Sequence, residues 1–225
     1  MRLLFLILCF SFSAQAQVWE QSPDSLTPPA DFQARPFQES DFQTYPWLKE
    51  FTNIIVINKA NDGADSQNLR LYQNGILKRF TKVSTGRENY EKGCNPGQDP
   101  KKDHCSLRAY WSTTPIGYFD VDKLDEHYFS NLWKTWMPYA VFFESGIATH
   151  QAPAGTEAKI GSRASGGCIR LHPNYASVIY NDVLKAGMGL IPVIKRDGSL
   201  KLTAQGDVVR EQGYRTLVIV QNVVR

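Results

Sequence analysis

Cys168 stands behind two glycines in the run Ser165-Gly166-Gly167-Cys168-Ile169-Arg170-Leu171, 18 residues after His150. A thiol attacks a carbonyl only as thiolate, so its ordinary pKa of about 8.5 must be countered by a base or a positive charge. His150 is the candidate base, and Arg170 brings a positive charge that can also grip a carboxylate. Glycines let the backbone approach a substrate and aim amide N–H groups at one point, as a developing tetrahedral oxyanion requires. On spacing alone, an inert cysteine beside a structural histidine is an open alternative.

Such a pair needs rigid elements to hold it, and the surrounding text reads as strands. Asn53-Ile54-Ile55-Val56-Ile57 is a short β-branched run. Leu69–Tyr72 and Ile76–Phe80 alternate on either side of Asn74-Gly75, which predicts a hairpin. Tyr139–Phe143 and Ile147–Thr149, joined through Gly146, predict a strand pair that runs into His150. Pro173 to Lys185 predicts a helix, with proline in its first turn and Gly187 past its end. Leu190–Ile194, Leu200–Thr203 and Thr216–Val224 read as further strands, the last either completing the sheet or forming a C-terminal cap. The polar run Asp120 to Glu126 reads as a solvated loop or helix start and lacks the glycine and terminal glutamate of a calcium loop. Trp133, Trp136 and Tyr139 read as core or groove-wall aromatics, with a sugar-stacking platform as the alternative. The expected class is mainly β, a β-rich mixed fold with one or two helices.

Length and composition set the frame. The 225 residues are 42% hydrophobic and 21% charged, with 16 glycines and 12 prolines, which fits a globular domain and excludes collagen-like or low-complexity classes. Lys and Arg number 25 against 22 acidic residues, a surplus of +3 that gives nucleic-acid binding no support. Arg2, the apolar run Leu3–Phe12 and Ala14-Gln15-Ala16 predict a cleaved secretory signal over residues 1–16, too short to span a bilayer. Residues 17–50 then read as a poorly ordered leader, 51–195 as the catalytic domain and 196–225 as a C-terminal β extension. In an oxidising compartment Cys94 and Cys105, flanking a turn-rich polar loop, are expected to form a disulfide, leaving Cys168 as the lone thiol. A zinc site on Cys94, His104 and Cys105 is the alternative there, short of a fourth ligand.

His150, then Ile160-Gly161, then Ser165–Leu171 resembles the catalytic signature of the L,D-transpeptidase (YkuD-type) family, in which a histidine precedes a Ser/Thr-His-Gly-Cys block by about 18 residues. Leu71–Gly75, Val83–Gly86, Thr114–Phe119 and Trp136–Tyr139 resemble successive landmarks of that domain, in its order, over roughly residues 52–194. The resemblance implies that Cys168 attacks the carbonyl of the L-centre of diaminopimelate in a stem tetrapeptide, releasing D-Ala and leaving a thioester. His150 would be the base, its ring held by the carbonyl of Gln151. The amides of Gly167 and Cys168 would be the oxyanion donors, Arg170 the carboxylate partner, and Ser165, Gly166 and Gln151 further substrate-side positions, with Ser165 shaping the turn. The acyl group would pass to an amine, giving a 3,3 cross-link, or to water. Peptidoglycan stem peptides are the implied partner, with no cofactor, no metal and no nucleic acid, and no membrane segment once the signal is cleaved from this exported, periplasmic protein.

The chain departs from the family block at Gly166, where the family has a histidine, and at Gln151, where a small residue is common. His172 could replace that histidine or face solvent. The departure keeps two other readings in view: an L,D-carboxypeptidase, and a catalytically degenerate cell-wall-binding domain.

Overall fold

A computed structural model describes residues 33–103 and 105–225 of the chain. The expected signal peptide, leader residues 17–32 and His104 lie outside the described residues.

The strands run β1 Asn53–Asn58, β2 Asn68–Gln73, β3 Ile76–Gly86, β4 Tyr90–Glu91, β5 Tyr110–Trp111, β6 Gly117–Asp120, β7 Lys123–Ser130, β8 Thr135–Glu144, β9 Ile147–Gln151, β10 Arg163–Ser165, β11 Ile169–Leu171, β12 Met188–Pro192, β13 Arg210–Tyr214 and β14 Thr216–Gln221. Two helices are single turns, α1 Asp41–Thr44 and α2 Pro100–Asp103, and one is long, α3 Pro173–Ala186. The fold is therefore mainly β. The strand order β6-β14-β1-β2-β3-β11-β9-β8-β7 makes one curled sheet, with β10 added along β3. Most neighbours are antiparallel; β1/β14, β9/β11 and β3/β10 are parallel.

The β-branched run of β1 is explained by burial on both faces. Ile55 and Ile57 point into the hollow of the sheet with Leu69, Leu71, Val83, Ile169, Leu171 and Val218, and α3 closes that hollow with Ala176, Ile179 and Val183. Ile54 and Val56 point outward beneath Phe37, Phe42, Leu48, Ile191 and Ile194. A strand buried on both faces reads as a continuous apolar run, because neither set of alternating side chains meets water.

Three expectations change. The described part of the leader is folded: Phe37 and Leu48 are fully buried, the Phe37 amide donates to Gln221 Oε1 at 3.0 Å, and Tyr72 Oη donates to Glu39 at 2.8 Å. Pro36 and Pro46 interrupt any periodicity there, so its apolar residues act singly and leave no helix or strand pattern. The boundary at 195 dissolves, because β14 lies between β1 and β6 inside the main sheet while β12 and β13 form a separate hairpin. The run Asp120–Glu126 is the end of β6 and the start of β7, not a loop. As the outermost strand β7 pairs only with β8, and half of its residues face water, which accommodates its charges.

The Asn74-Gly75 hairpin is present, with φ of 50° and 79° at the two turn residues, the left-handed pair that a two-residue turn needs. Cys94 and Cys105 are bridged, Cα atoms 5.1 Å apart. Among the described residues no helix is long and apolar enough to cross a membrane, and no group of three or more His, Cys, Asp or Glu could hold a metal ion.

Candidate active site

The parallel ladder between β9 and β11 brings the chemistry together. Thr149 lies opposite Ile169, and His150 opposite Arg170. Adjacent strands lie about 4.8 Å apart and side chains alternate along each, so Cys168, Arg170 and His150 share one face. The other face sends Ile169 and Leu171 into the core, fully buried. One register thus anchors the strand by its apolar residues and aims its reactive ones.

His150 is buried and its Nδ1–H donates to the Gln151 carbonyl at 2.7 Å. That bond holds the proton on Nδ1 and leaves Nε2 with the lone pair that takes a proton. Burial, helped by the charge of Arg170 and opposed by the Gln151 bond, pushes the imidazole down to about 4. It is neutral at neutral pH and able to act as a base. Cys168 is half-buried, a free thiol with Sγ 3.8 Å from the carbonyl of Gly146. The dense surroundings push the thiol up, and a backbone bond at Ala148 and the charge of Arg170 pull it back in part. Both shifts favour the uncharged forms, thiol and neutral imidazole.

The glycine turn before Cys168 is held by hydroxyls on both sides. Ser165 Oγ accepts from the Gly167 amide at 3.0 Å and donates to the carbonyl of Cys168. Ser165 thus ties both ends of the turn, and in this arrangement the Gly167 amide, expected to face the substrate, is engaged by its hydroxyl. Thr114 Oγ1 donates to the Gly167 carbonyl at 2.6 Å and accepts from the Gly86 amide at 2.8 Å. The Gly167 carbonyl and the Cys168 amide belong to one planar peptide unit, so the hydroxyl that fixes the first fixes the direction of the second. Gly167 has φ of 125°, a conformation that side-chain-bearing residues rarely adopt. Behind Thr114 its amide donates to Glu88 at 3.1 Å and its carbonyl accepts from Lys59 at 2.7 Å; Lys59 and Glu88 form a 2.9 Å ion pair. Sequence reasoning passed over Glu88 and Lys59 and met Thr114 only as the start of a family landmark, since their chemistry acts only through the backbone of the turn.

Two aromatic side chains pack against Gly166: Trp133, expected as a core or groove-wall ring, and Tyr110, which the sequence did not single out. A Cβ on Gly166 would come within 2.7 Å of Trp133 Cζ2 and 2.7 Å of the Tyr110 hydroxyl. The two rings meet edge to face, centroids 5.5 Å apart. Trp133 comes from the turn between β7 and β8, and Tyr110 from β5, just beyond the disulfide loop. Trp133 thus packs beside the glycine turn; Tyr139 flanks the core against Tyr180, and Trp136 is exposed against Phe129. Arg87 Nη2 donates to the Tyr110 hydroxyl at 3.3 Å while its Nε donates to Glu91 at 2.7 Å. Arg170 lies close enough to Arg87 for the two charges to repel, and burial and Arg87 together lower its pKa. Arg87 is already paired with Glu91, so Arg170 is the guanidinium of the two without a carboxylate partner among the described residues, and a guanidinium so placed can accept an anion such as a carboxylate. His172 stands apart from this wall: it caps α3, its Nδ1 accepting from the Asn174 amide at 3.3 Å.

Among curated proteins none matches this chain. The family model of the L,D-transpeptidase catalytic domain matches residues 52–213. Solved structures similar to the chain include an L,D-transpeptidase (residues 123–326) from Xylanimonas cellulosilytica, at 18% identity and a TM-score of 0.47, over 76% of this chain and 61% of that one. An L,D-transpeptidase from Mycobacterium smegmatis follows at 16% and 0.45, over 76% and 59%. L,D-transpeptidase 3 from Mycobacterium tuberculosis stands at 15% and 0.46, over 76% and 62%. The chain spans less than two thirds of the length of these structures. A family model that matches well over half of the residues, and takes in both His150 and Cys168, makes this chain a member of the L,D-transpeptidase catalytic-domain family.

Proposed function

We propose that the chain is an exported, cysteine-dependent L,D-transpeptidase acting on peptidoglycan stem peptides in the periplasm. The observation that carries the reading is the neutral His150, its Nδ1–H bound to the Gln151 carbonyl, on the strand beside the one that Cys168 leads into. His150 Nε2 takes the proton from Sγ as the sulfur attacks the carbonyl of the L-centre of diaminopimelate. The Cys168 amide, aimed by Thr114 through the Gly167 peptide, faces the charge that develops on oxygen. The imidazolium then gives its proton to the departing D-Ala amine, the C–N bond breaks, and a thioester remains. An amine of a second stem attacks that thioester, His150 removes the amine proton, and the thiol is regenerated with a 3,3 cross-link formed. Arg170 and Arg87 supply the positive field for a substrate carboxylate.

The test is incubation of the protein with purified disaccharide tetrapeptide, products resolved by liquid chromatography with mass detection. Cross-linked dimer is expected. Tripeptide alone would make water the acceptor and the enzyme an L,D-carboxypeptidase. Unchanged substrate, with no carbapenem adduct on Cys168, would leave a cell-wall-binding domain.

A further inference from the structure

We infer that the Tyr110 hydroxyl is the second oxyanion donor of this site, occupying the space that a side chain at position 166 would fill. The inference rests on the cysteine mechanism proposed above. Three observations carry it. The Gly167 amide donates to Ser165 Oγ, so of the two turn amides only that of Cys168 is left to face the substrate, and one donor is a poor oxyanion hole. The Tyr110 oxygen lies 2.7 Å from where a Cβ on Gly166 would be, two residues from the nucleophile. That oxygen accepts a hydrogen bond from Arg87 at 3.3 Å, which polarises the phenol and turns its own proton away from the guanidinium. The phenol is a neutral donor throughout the neutral range, because burial raises its pKa strongly while Arg87 offsets only part of that rise.

The arrangement also accounts for glycine at 166. Any larger residue would drive its Cβ into Trp133 and the Tyr110 hydroxyl together. A donor brought in by β5 and a glycine under it are therefore one device. The chemistry at stake is acyl transfer, in which the carbonyl oxygen gains charge; displacement at a saturated carbon builds no such oxygen and does not need the donor.

Tyr110→Phe keeps the ring and removes the hydroxyl. Its rate of Cys168 acylation by imipenem is compared with its rate of alkylation by iodoacetamide, with thermal midpoints measured alongside. We expect acylation to fall by about 100-fold, the low end of what loss of one oxyanion donor costs, with alkylation within twofold of wild type. Equal acylation in wild type and variant would overturn the inference, and so would a parallel fall in both reactions, which would place Tyr110 at the thiol or in the fold. If Tyr110→Phe unfolds, 3,5-difluorotyrosine at position 110 replaces it. Acylation is then expected to decline on the alkaline side as the acidified phenol loses its proton while alkylation does not, and unchanged acylation there would refute the idea. Absence of any adduct on the wild-type protein would instead defeat the cysteine mechanism itself.

Discussion

The two flanks of Cys168 are built by different means. On one flank His150, Arg170 and Cys168 are set by a parallel strand ladder whose reverse face is fully buried. On the other flank Tyr110 and Trp133 come from a short strand and a turn, held to one another by ring packing and to the rest by Arg87. Backbone pairing fixes a side chain's direction for almost any sequence that keeps the pleat. An aromatic wall depends on which side chains are present and changes with each of them. The placing of His150 beside the Cys168 strand thus rests on backbone pairing, while the surroundings of Gly166 rest on the particular side chains packed there.

That contrast is broken most severely by Cys168→Ala, which is expected to abolish turnover while leaving the thermal midpoint within a degree or two of wild type; surviving turnover would refute the assignment of the nucleophile. His150→Gln should lower both acylation and alkylation of Cys168 at neutral pH, by about 100-fold or more for loss of a positioned base. Alkylation kinetics unchanged across pH would show that another group activates the thiol. The strand flank should therefore affect both probe reactions, and Tyr110 only one. Thr114→Val, nearly isosteric, leaves the buried Gly167 carbonyl without its donor. It should cost about 1–2 kcal/mol in urea unfolding and slow acylation about tenfold by loosening the Cys168 amide, and an undisturbed rate would detach Thr114 from catalysis.

The smallest effect is thermodynamic. A histidine held at about 4 when folded and about 6.5 when unfolded lets the unfolded chain bind more protons between those values, so its contribution to stability is complete above pH 6.5 and fades as pH falls toward 4. From pH 7 to pH 5 that loss is about 2 kcal/mol. Asp120, raised to about 6 by burial and by Asp122 and Glu211, works in the opposite direction, since its folded form holds the proton more tightly. The quantity to measure is therefore the difference between wild type and His150→Gln in urea midpoint at the two pH values. Parallel curves would show that His150 titrates normally.

The sequence was legible where structure depends on local rules. Asn74-Gly75 demands a left-handed turn, Pro173 and Gly187 bracket a helix, and the apolar run of β1 betrays a strand with two covered faces. Cys168 and His150 were legible as candidates through their resemblance to the family signature, since spacing alone left an inert cysteine open. What escaped depends on contacts distant in the chain. Phe37 is tied to Gln221, Thr114 to Gly167 and Tyr110 to Gly166, and no local pattern marks such pairs. The glycine at 166 did carry a signal: a missing side chain beside a nucleophile asks what fills its volume. The bond from the Gly167 amide to the Ser165 hydroxyl was equally hidden, since it depends on one side chain's rotation.

The position of β14 has a consequence for how the protein acquires its shape. β1 lies inside the sheet, between β14 and β2, and pairs with β14 along its whole length, Asn53 opposite Thr216 through Asn58 opposite Gln221. A loop of some 160 residues must close before that pairing can reward it, which is a slow, late event for a chain of this length. Until then one edge of β1 stays unpaired, and its residues Ile54 to Ile57 form an apolar strand open to other chains. Completion from the C-terminal end therefore governs both the folding time and the window in which the chain is prone to aggregate.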